Sequence, residues 1–100
     1  MGVDKTDIFD RWLNNLKDRK AKALILVHIH RIEDGNMGKV RSVGDGVFEK
    51  KIKYGPGYRL YFCMIGDKLI LLLCGGDKST QQSDIEYAKL LKENIKWAEG

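Results

Sequence analysis

The sequence predicts an α+β domain in which two N-terminal helices pack on a twisted, mainly antiparallel sheet of four to five strands, followed by a C-terminal helix. Three observations support this prediction. Apolar residues recur at helical spacing in two segments before residue 35, strand-like segments separated by glycine-containing turns occupy residues 39–76, and a third helical pattern ends the chain. At 100 residues, we expect one domain spanning residues 1–100.

Each N-terminal helix is defined by an apolar stripe and by polar residues at its ends. The first stripe comprises Phe9, Trp12, Leu13 and Leu16, and either Thr6 or Asp7 is a suitable N-cap. The second helix is predicted over about residues 18–34 and ends at Gly35, a favoured residue after a helix. The β-branched run 23–30 could also form a strand, but the length of the segment and its glycine stop favour a helix.

Four strands are predicted at about residues 40–44, 46–54, 58–65 and 68–74, as consecutive antiparallel neighbours. A three-residue loop at 55–57 would place Tyr54 opposite Tyr58 and Lys53 opposite Arg59. A two-residue loop at 66–67 would place Cys74 opposite Arg59. The last strand is apolar on both faces, as expected for a central strand, so residues 1–5 are the remaining candidate for its other edge.

The C-terminal helix is predicted over about residues 81–97, with a buried stripe of Ile85, Ala88, Leu91 and Ile95. No apolar run is long enough to cross a bilayer, and the N-terminus has no apolar leader, so we expect a cytoplasmic protein without membrane contact. No cysteine or histidine cluster has metal-ligand spacing, so neither a metal nor another cofactor is expected.

Positive charge is concentrated in the predicted sheet. Residues 36–78 contain eight basic and four acidic side chains, which accounts for the whole formal charge of +4. The two-residue period of a strand places Lys51, Lys53, Arg59 and Tyr61 on one face, opposite an apolar face. Like charges on neighbouring strands repel, so this patch predicts an anionic partner. The alternative is a solvated strand face with Glu49 as the counter-charge.

Two segments, residues 54–62 and 72–79, resemble the addiction-module killer proteins of the RelE/ParE toxin superfamily, in particular its HigB-like members. Shorter matches are Phe9-Asp10-Arg11-Trp12-Leu13, Asp34-Gly35-Asn36 and Asp84-Ile85. The resemblance implies a RelE-like fold and a toxin that cleaves messenger RNA, mostly on the ribosome. It also implies a cognate antitoxin, of helix-turn-helix type as in related modules. Three departures are residues 1–5, which replace a longer first strand, Lys50, which falls on the apolar face, and Lys51, which stands where an arginine is usual.

The resemblance and the charged face together predict a metal-independent endoribonuclease. Arg59 is the expected phosphate clamp, Lys51 or Lys53 the base or electrostatic stabiliser, Lys78 a second clamp, and Tyr61 a stacking platform or proton donor. Further RNA contacts are expected from Lys39, Arg41, Lys50, Tyr58 and Asp77. Because Arg59 is expected on an open sheet face, its truncation should change stability by no more than about 1 kcal/mol. The alternatives are a non-catalytic inhibitor of DNA gyrase, as in the ParE branch, and a plain nucleic-acid-binding domain.

Overall fold

A five-stranded mixed sheet with helices on both faces forms the centre of the molecule. The computed structural model describes residues 2–99, with side chains up to residue 95, so Met1 and Gly100 lie outside the described residues. In chain order the elements are β1 (Gly2–Lys5), α1 (Asp7–Asn14), α2 (Arg19–Glu33), β2 (Arg41–Gly44), β3 (Val47–Ile52), β4 (Tyr58–Ile65), β5 (Leu69–Gly76), a 3-10 turn (Lys78–Thr80) and α3 (Gln81–Glu99).

The strand order is β1-β5-β4-β3-β2, with β1 parallel to β5 and the other neighbours antiparallel. The N-terminal segment therefore pairs with the free edge of the last strand, as the sequence predicted. Because β5 is central and covered on both sides, five of its eight residues are buried. For the same reason the strand lacks an alternation of polar and apolar residues. None of the described helices is long and apolar enough to cross a membrane.

Helices α1 and α2 begin where the sequence indicated. Thr6 caps α1, its side chain accepting a hydrogen bond from the Phe9 amide at 3.0 Å, and Asp18 caps α2 by accepting from two backbone amides. Their buried residues pack on one sheet face together with Ile52, Tyr58, Leu60, Phe62, Ile70 and Leu72. The predicted pair of N-terminal helices is thus confirmed, and residues 23–30 are helical.

Helix α3 covers much of the opposite sheet face. Its predicted stripe is confirmed, since Ile85 and Ala88 are buried and Leu91 and Ile95 pack against the same cluster. On the sheet this second core contains Val47, Tyr61, Cys63, Leu73 and Cys74. No sequence pattern indicated where α3 would lie, and this placement changes the environment of the predicted charged face.

The register between β3 and β4 differs from the prediction by two residues. Ile52 pairs with Tyr58, so Lys51 rather than Lys53 lies opposite Arg59. The reason is a four-residue turn closed by a hydrogen bond from the Gly57 amide to the Tyr54 carbonyl at 3.1 Å, which keeps Tyr54 out of the ladder. A shift of two keeps every side chain on its predicted face, because faces alternate with a period of two.

The loop between β4 and β5 was also predicted one residue too short. Ile65 pairs with Leu69, so the loop is 66–68. Only Gly66 has positive φ there, at 59°, whereas a two-residue turn with φ positive at both positions would need it at Asp67 as well. An irregularity next to Tyr61 then places Cys74 opposite Tyr61 instead of Arg59.

Candidate nucleic-acid interface

A cationic groove lies at the end of the sheet where β2 and β3 meet the turn before β4. It is a cavity of about 320 Å³ lined by Lys39, Arg41, Lys51 and Lys53, with Glu49 at its base. We call these five residues and the adjoining Val40 the cationic groove. The four cations are exposed, and Glu49 is buried. Four of the predicted site residues therefore do meet around one cavity.

Glu49 connects three elements. Its Oε1 accepts hydrogen bonds from Nε and Nη2 of Arg41 on β2, at 3.2 and 3.0 Å. Its Oε2 accepts from the Tyr61 hydroxyl on β4 at 3.0 Å and from Nε2 of Gln81 at the start of α3 at 3.1 Å. The Nε of Arg59 lies 3.8 Å from the same oxygen. This network fixes the relative positions of β2, β4 and α3 behind the groove.

The network also sets the ionisation of its members. Burial alone would raise the pKa of Glu49, but the hydrogen bonds from Gln81, Tyr61 and Arg41 outweigh it, so this pKa is lowered from its usual value. The pKa of Tyr61 is raised, first by burial and then by its hydrogen bond to the Glu49 carboxylate. Glu49 is therefore an anion and Tyr61 a neutral phenol throughout the physiological pH range.

Arg59 does not lie on an open face, and that prediction was wrong. It is only 4 % exposed and lies against the turn at 54–57. Its Nη1 donates to the Gly57 carbonyl at 2.7 Å, and its Nε is buried without a hydrogen bond. Lys51, its partner across the strands, stays exposed. Arg59 supports the base of the groove and cannot touch RNA in this conformation.

Three further predicted contact residues are buried. Tyr61 is fully buried under α3, so it has no surface on which a base could stack. Tyr58 is 8 % exposed and packs edge-on against Trp12 of α1, with ring centroids 6.3 Å apart. Lys50 lies on the apolar face, as its position predicted, and its Nζ donates to the Met37 carbonyl at 2.7 Å. Direct RNA contact by these side chains was predicted and is not compatible with their burial.

Lys78 and Asp77 lie beside the groove rather than in it. The Lys78 amide donates to the Pro56 carbonyl at 3.4 Å, so this exposed lysine stands next to the 54–57 turn. Asp77 caps the short 3-10 turn, and its hydrogen bonds from Ser79 lower its pKa. Among residues 2–99, no group of three or more His, Cys, Asp or Glu side chains is arranged to hold a metal ion.

From the sequence, Glu49 was predicted only as a possible counter-charge, and Gln81 was not predicted as a site residue. A signal was present for Glu49, because it alternates with Val47 and Lys51 on the face opposite Phe48 and Ile52. No local pattern linked it to Gln81, which is 32 residues away in the chain. That contact exists only because α3 crosses the sheet above β3.

Comparison with solved structures confirms the predicted fold. The chain resembles the isolated toxin RelE of E. coli, with a TM-score of 0.57 and 15 % identity, over 82 % of this chain and 93 % of that one. It also resembles a chain in the crystal structure of the intact E. coli RelBE toxin-antitoxin complex, with a TM-score of 0.54 and 18 % identity, over 76 % of this chain and 94 % of that one.

Sequence relatives identify the family. An uncharacterised protein of Haemophilus influenzae is 48 % identical over 93 residues, which is 93 % of this chain and 94 % of that protein. Residues 11–99 match the family described as Phage derived protein Gp49-like (DUF891). This match begins in the middle of α1 and ends with α3, so it includes the whole cationic groove. The chain therefore belongs to the phage-derived Gp49-like protein family.

Proposed function

We propose that this chain is the toxin of a toxin-antitoxin pair and that it acts on messenger RNA as a HigB-like or RelE-like endoribonuclease. The cationic groove is the observation that carries the proposal. Four exposed cations surround one cavity, and Glu49, the one carboxylate that the described part of the chain places in its lining, is already bound by Arg41, Tyr61 and Gln81. Such a groove attracts a polyanion and follows its phosphates. The shared fold with RelE adds the expectation of a toxin.

Within the groove, Arg41 is the best placed phosphate clamp. Its Nε and Nη2 bind Glu49, yet its side chain is 61 % exposed, so the guanidinium is held in one orientation with donors left for a ligand. Arg41 thereby takes the role that was predicted for Arg59. Arg59 would then act from behind, as the second cation that balances Glu49.

Cleavage would use the 2′-hydroxyl of the RNA as the nucleophile. A new bond forms between O2′ and phosphorus, the bond from phosphorus to O5′ breaks, and the products are a 2′,3′-cyclic phosphate and a 5′-hydroxyl. A base must take the proton of the 2′-hydroxyl and an acid must give one to O5′. Lys51 and Lys53 line the groove and are the candidates for these two transfers. Arg41 and the remaining cations would stabilise the charge that develops on the phosphate.

The test is to incubate the purified protein with translating ribosomes and to map new 5′ ends on the messenger RNA. We expect cleavage by the parent and by Lys68→Ala, which removes an exposed lysine from the loop at the far end of β4 and β5. We expect a loss of about 10²–10³-fold in rate for Arg41→Ala, as for removal of a preorganised donor. If the protein arrests cell growth and inhibits DNA supercoiling but produces no new 5′ end on messenger RNA, it is a gyrase inhibitor instead.

The partner that we propose is an antitoxin, of helix-turn-helix type, that neutralises the groove in the cytoplasm. Two observations support this partner. The groove contains exposed like charges that need an anionic partner, and a protein of similar fold has been solved in the RelBE toxin-antitoxin complex. Co-expression of a neighbouring gene product should restore growth. If none does so while Arg41→Ala alone relieves the arrest, the RNA-cleavage proposal stands and the antitoxin proposal fails.

A further inference from the structure

A second cavity, between the edge strand β2 and the first turns of α3, adjoins the cationic groove. Its volume is about 500 Å³. Arg41 and Val43 form the wall on β2, since Arg41 binds Glu49 beside α3 and Val43 packs against the core under that helix. The opposite wall is one side of α3, formed by Gln81, Gln82, Ile85 and Lys89.

The cavity carries positive charge at both ends. Among the residues that the structure describes, its lining contains two cations, Arg41 and Lys89, and no carboxylate. Gln82 adds an exposed amide that can donate hydrogen bonds. Arg41 also lines the cationic groove, so the two cavities are continuous through its guanidinium. An anionic chain that leaves the groove past Arg41 therefore enters a second positively charged space.

The ammonium of Lys89 is positioned by the turn between β2 and β3. Its side chain lies over Gly44, where an added Cβ would be 3.2 Å from Nζ. Gly44 has a φ of 100°, which favours glycine and so keeps this space open for the lysine. Nζ lies 3.9 Å from Oδ2 of Asp45, which is too far for a hydrogen bond. That carboxylate therefore leaves the donors of Lys89 to a ligand.

The charge of the surface changes beyond Lys89. The next cavity along α3, of about 530 Å³, is lined by three carboxylates, two ammonium groups and one leucine, namely Asp45, Glu86, Glu93, Lys89, Lys92 and Leu90. The excess of carboxylates there repels a phosphate. The attraction that begins in the cationic groove thus extends to Lys89 and stops there.

The two cations are too far apart to share one phosphate. Gly44, where the Lys89 ammonium lies, is three strand residues from Arg41, which is about 10 Å. Along the helix, Lys89 is eight residues from Gln81, which contacts the same carboxylate as Arg41, and this is about 12 Å. Both elements therefore give a separation that suits two phosphates of one strand.

We propose that the cavity between Arg41 and Lys89 is a second phosphate site, in which Lys89 and Gln82 bind another phosphate of the RNA strand that Arg41 holds. The inference rests on the proposed function, since it needs RNA in the cationic groove. It gives the path of the strand, which leaves the groove at Arg41, crosses the edge strand β2 and follows α3 as far as Lys89.

The test measures binding of a ten-nucleotide 2′-O-methyl RNA by fluorescence anisotropy over a series of salt concentrations. This ligand has no free 2′-hydroxyl, so it is not cleaved. Each phosphate contact on a single strand contributes about 0.7 to the slope of log K against log salt. Lys89→Ala should therefore lower the slope by about 0.7 and weaken binding about fivefold in 0.1 M salt. Lys89→Arg should keep the slope of the parent, because it keeps the charge.

A double variant distinguishes two phosphate sites from one. Arg41→Ala with Lys89→Ala should lower the slope by about 1.4, since two phosphates lose their cations. A fall of about 0.7 would show that both side chains act on a single phosphate and would overturn the inference. If this variant is unfolded by circular dichroism, Arg41→Gln takes the place of Arg41→Ala, because a glutamine amide can still donate to Glu49.

Lys92→Ala is the matched control, because it removes the same charge from the same helix outside the cavity. It should keep the slope close to that of the parent. A fall as large as that of Lys89→Ala would show a general effect of net charge and would overturn the inference. A slope that falls in Arg41→Ala but not in Lys89→Ala would also overturn it and leave the proposed function intact. Absence of RNA binding by the parent would overturn both.

Discussion

Truncation of Arg59 should strongly destabilise the protein. The side chain is 4 % exposed, and its Nη1 donates a charged hydrogen bond to the Gly57 carbonyl at 2.7 Å. A hydrogen bond from a charged group contributes about 1.5–3 kcal/mol, and the buried methylene groups of the stem add about 0.8 kcal/mol each. Glu49 keeps Arg41, Tyr61 and Gln81 as partners, so its own charge remains balanced. We therefore expect Arg59→Ala to lose about 3 kcal/mol of the free energy of unfolding.

Urea denaturation followed by circular dichroism measures this loss, and a thermal scan should show a midpoint lower by roughly 12–24 °C for a domain of this size. Lys51→Ala is the matched control, because Lys51 is the exposed cation directly across the strands from Arg59. Its removal relieves repulsion and should change the free energy of unfolding by no more than about 0.5 kcal/mol. If Arg59→Ala unfolds within about 1 kcal/mol of the parent, then Arg59 does not support the groove as the structure indicates.

Three further predictions concern buried groups. Tyr61→Phe should cost about 1 kcal/mol, because it removes one of the donors to Glu49. Burial and then the Glu49 carboxylate raise the pKa of Tyr61, so ultraviolet titration of the parent should show a phenol that ionises above the usual range of tyrosine and that is lost in Tyr61→Phe; if the lost phenol ionises within that usual range, Tyr61 is not buried as the structure indicates. The pKa of Glu49 is lower in the folded chain than its unfolded value of about 4.3, so its contribution to stability is fully present above that pH and is lost as the pH falls through the folded pKa. Glu49→Gln should therefore flatten the acid side of the stability curve, and an unchanged slope would exclude Glu49 as its source. Lys50→Met should raise the pKa of His28, since burial and then the charge of Lys50 lower it; an unchanged pKa by proton NMR would show that the two side chains are not neighbours.

The order and type of the elements followed from the sequence because they depend on local periodicity. Thr6 and Asp18 cap their helices through contacts within three residues, and both helices were predicted near their observed bounds. The sheet faces were also predicted correctly despite the register error at Tyr54, since a shift of two residues leaves the alternation unchanged. The pairing of residues 2–5 with the outer edge of β5 followed by elimination, because β5 is apolar on both faces, whereas the parallel direction of that strand was not predicted.

What only the tertiary structure decided is which side of the sheet α3 covers. The charged face near Arg59 was expected to be open, but α3 packs there because Ile85 and Ala88 need the apolar surface of Val47 and Tyr61. The burial of a side chain depends on elements that are distant in the chain, and periodicity along one strand carries no information about them. For the same reason the sequence indicated where positive charge collects, but the strand order determined that Arg59, on the inner strand β4, lies inside the protein and that Arg41, on the edge strand β2, faces the solvent.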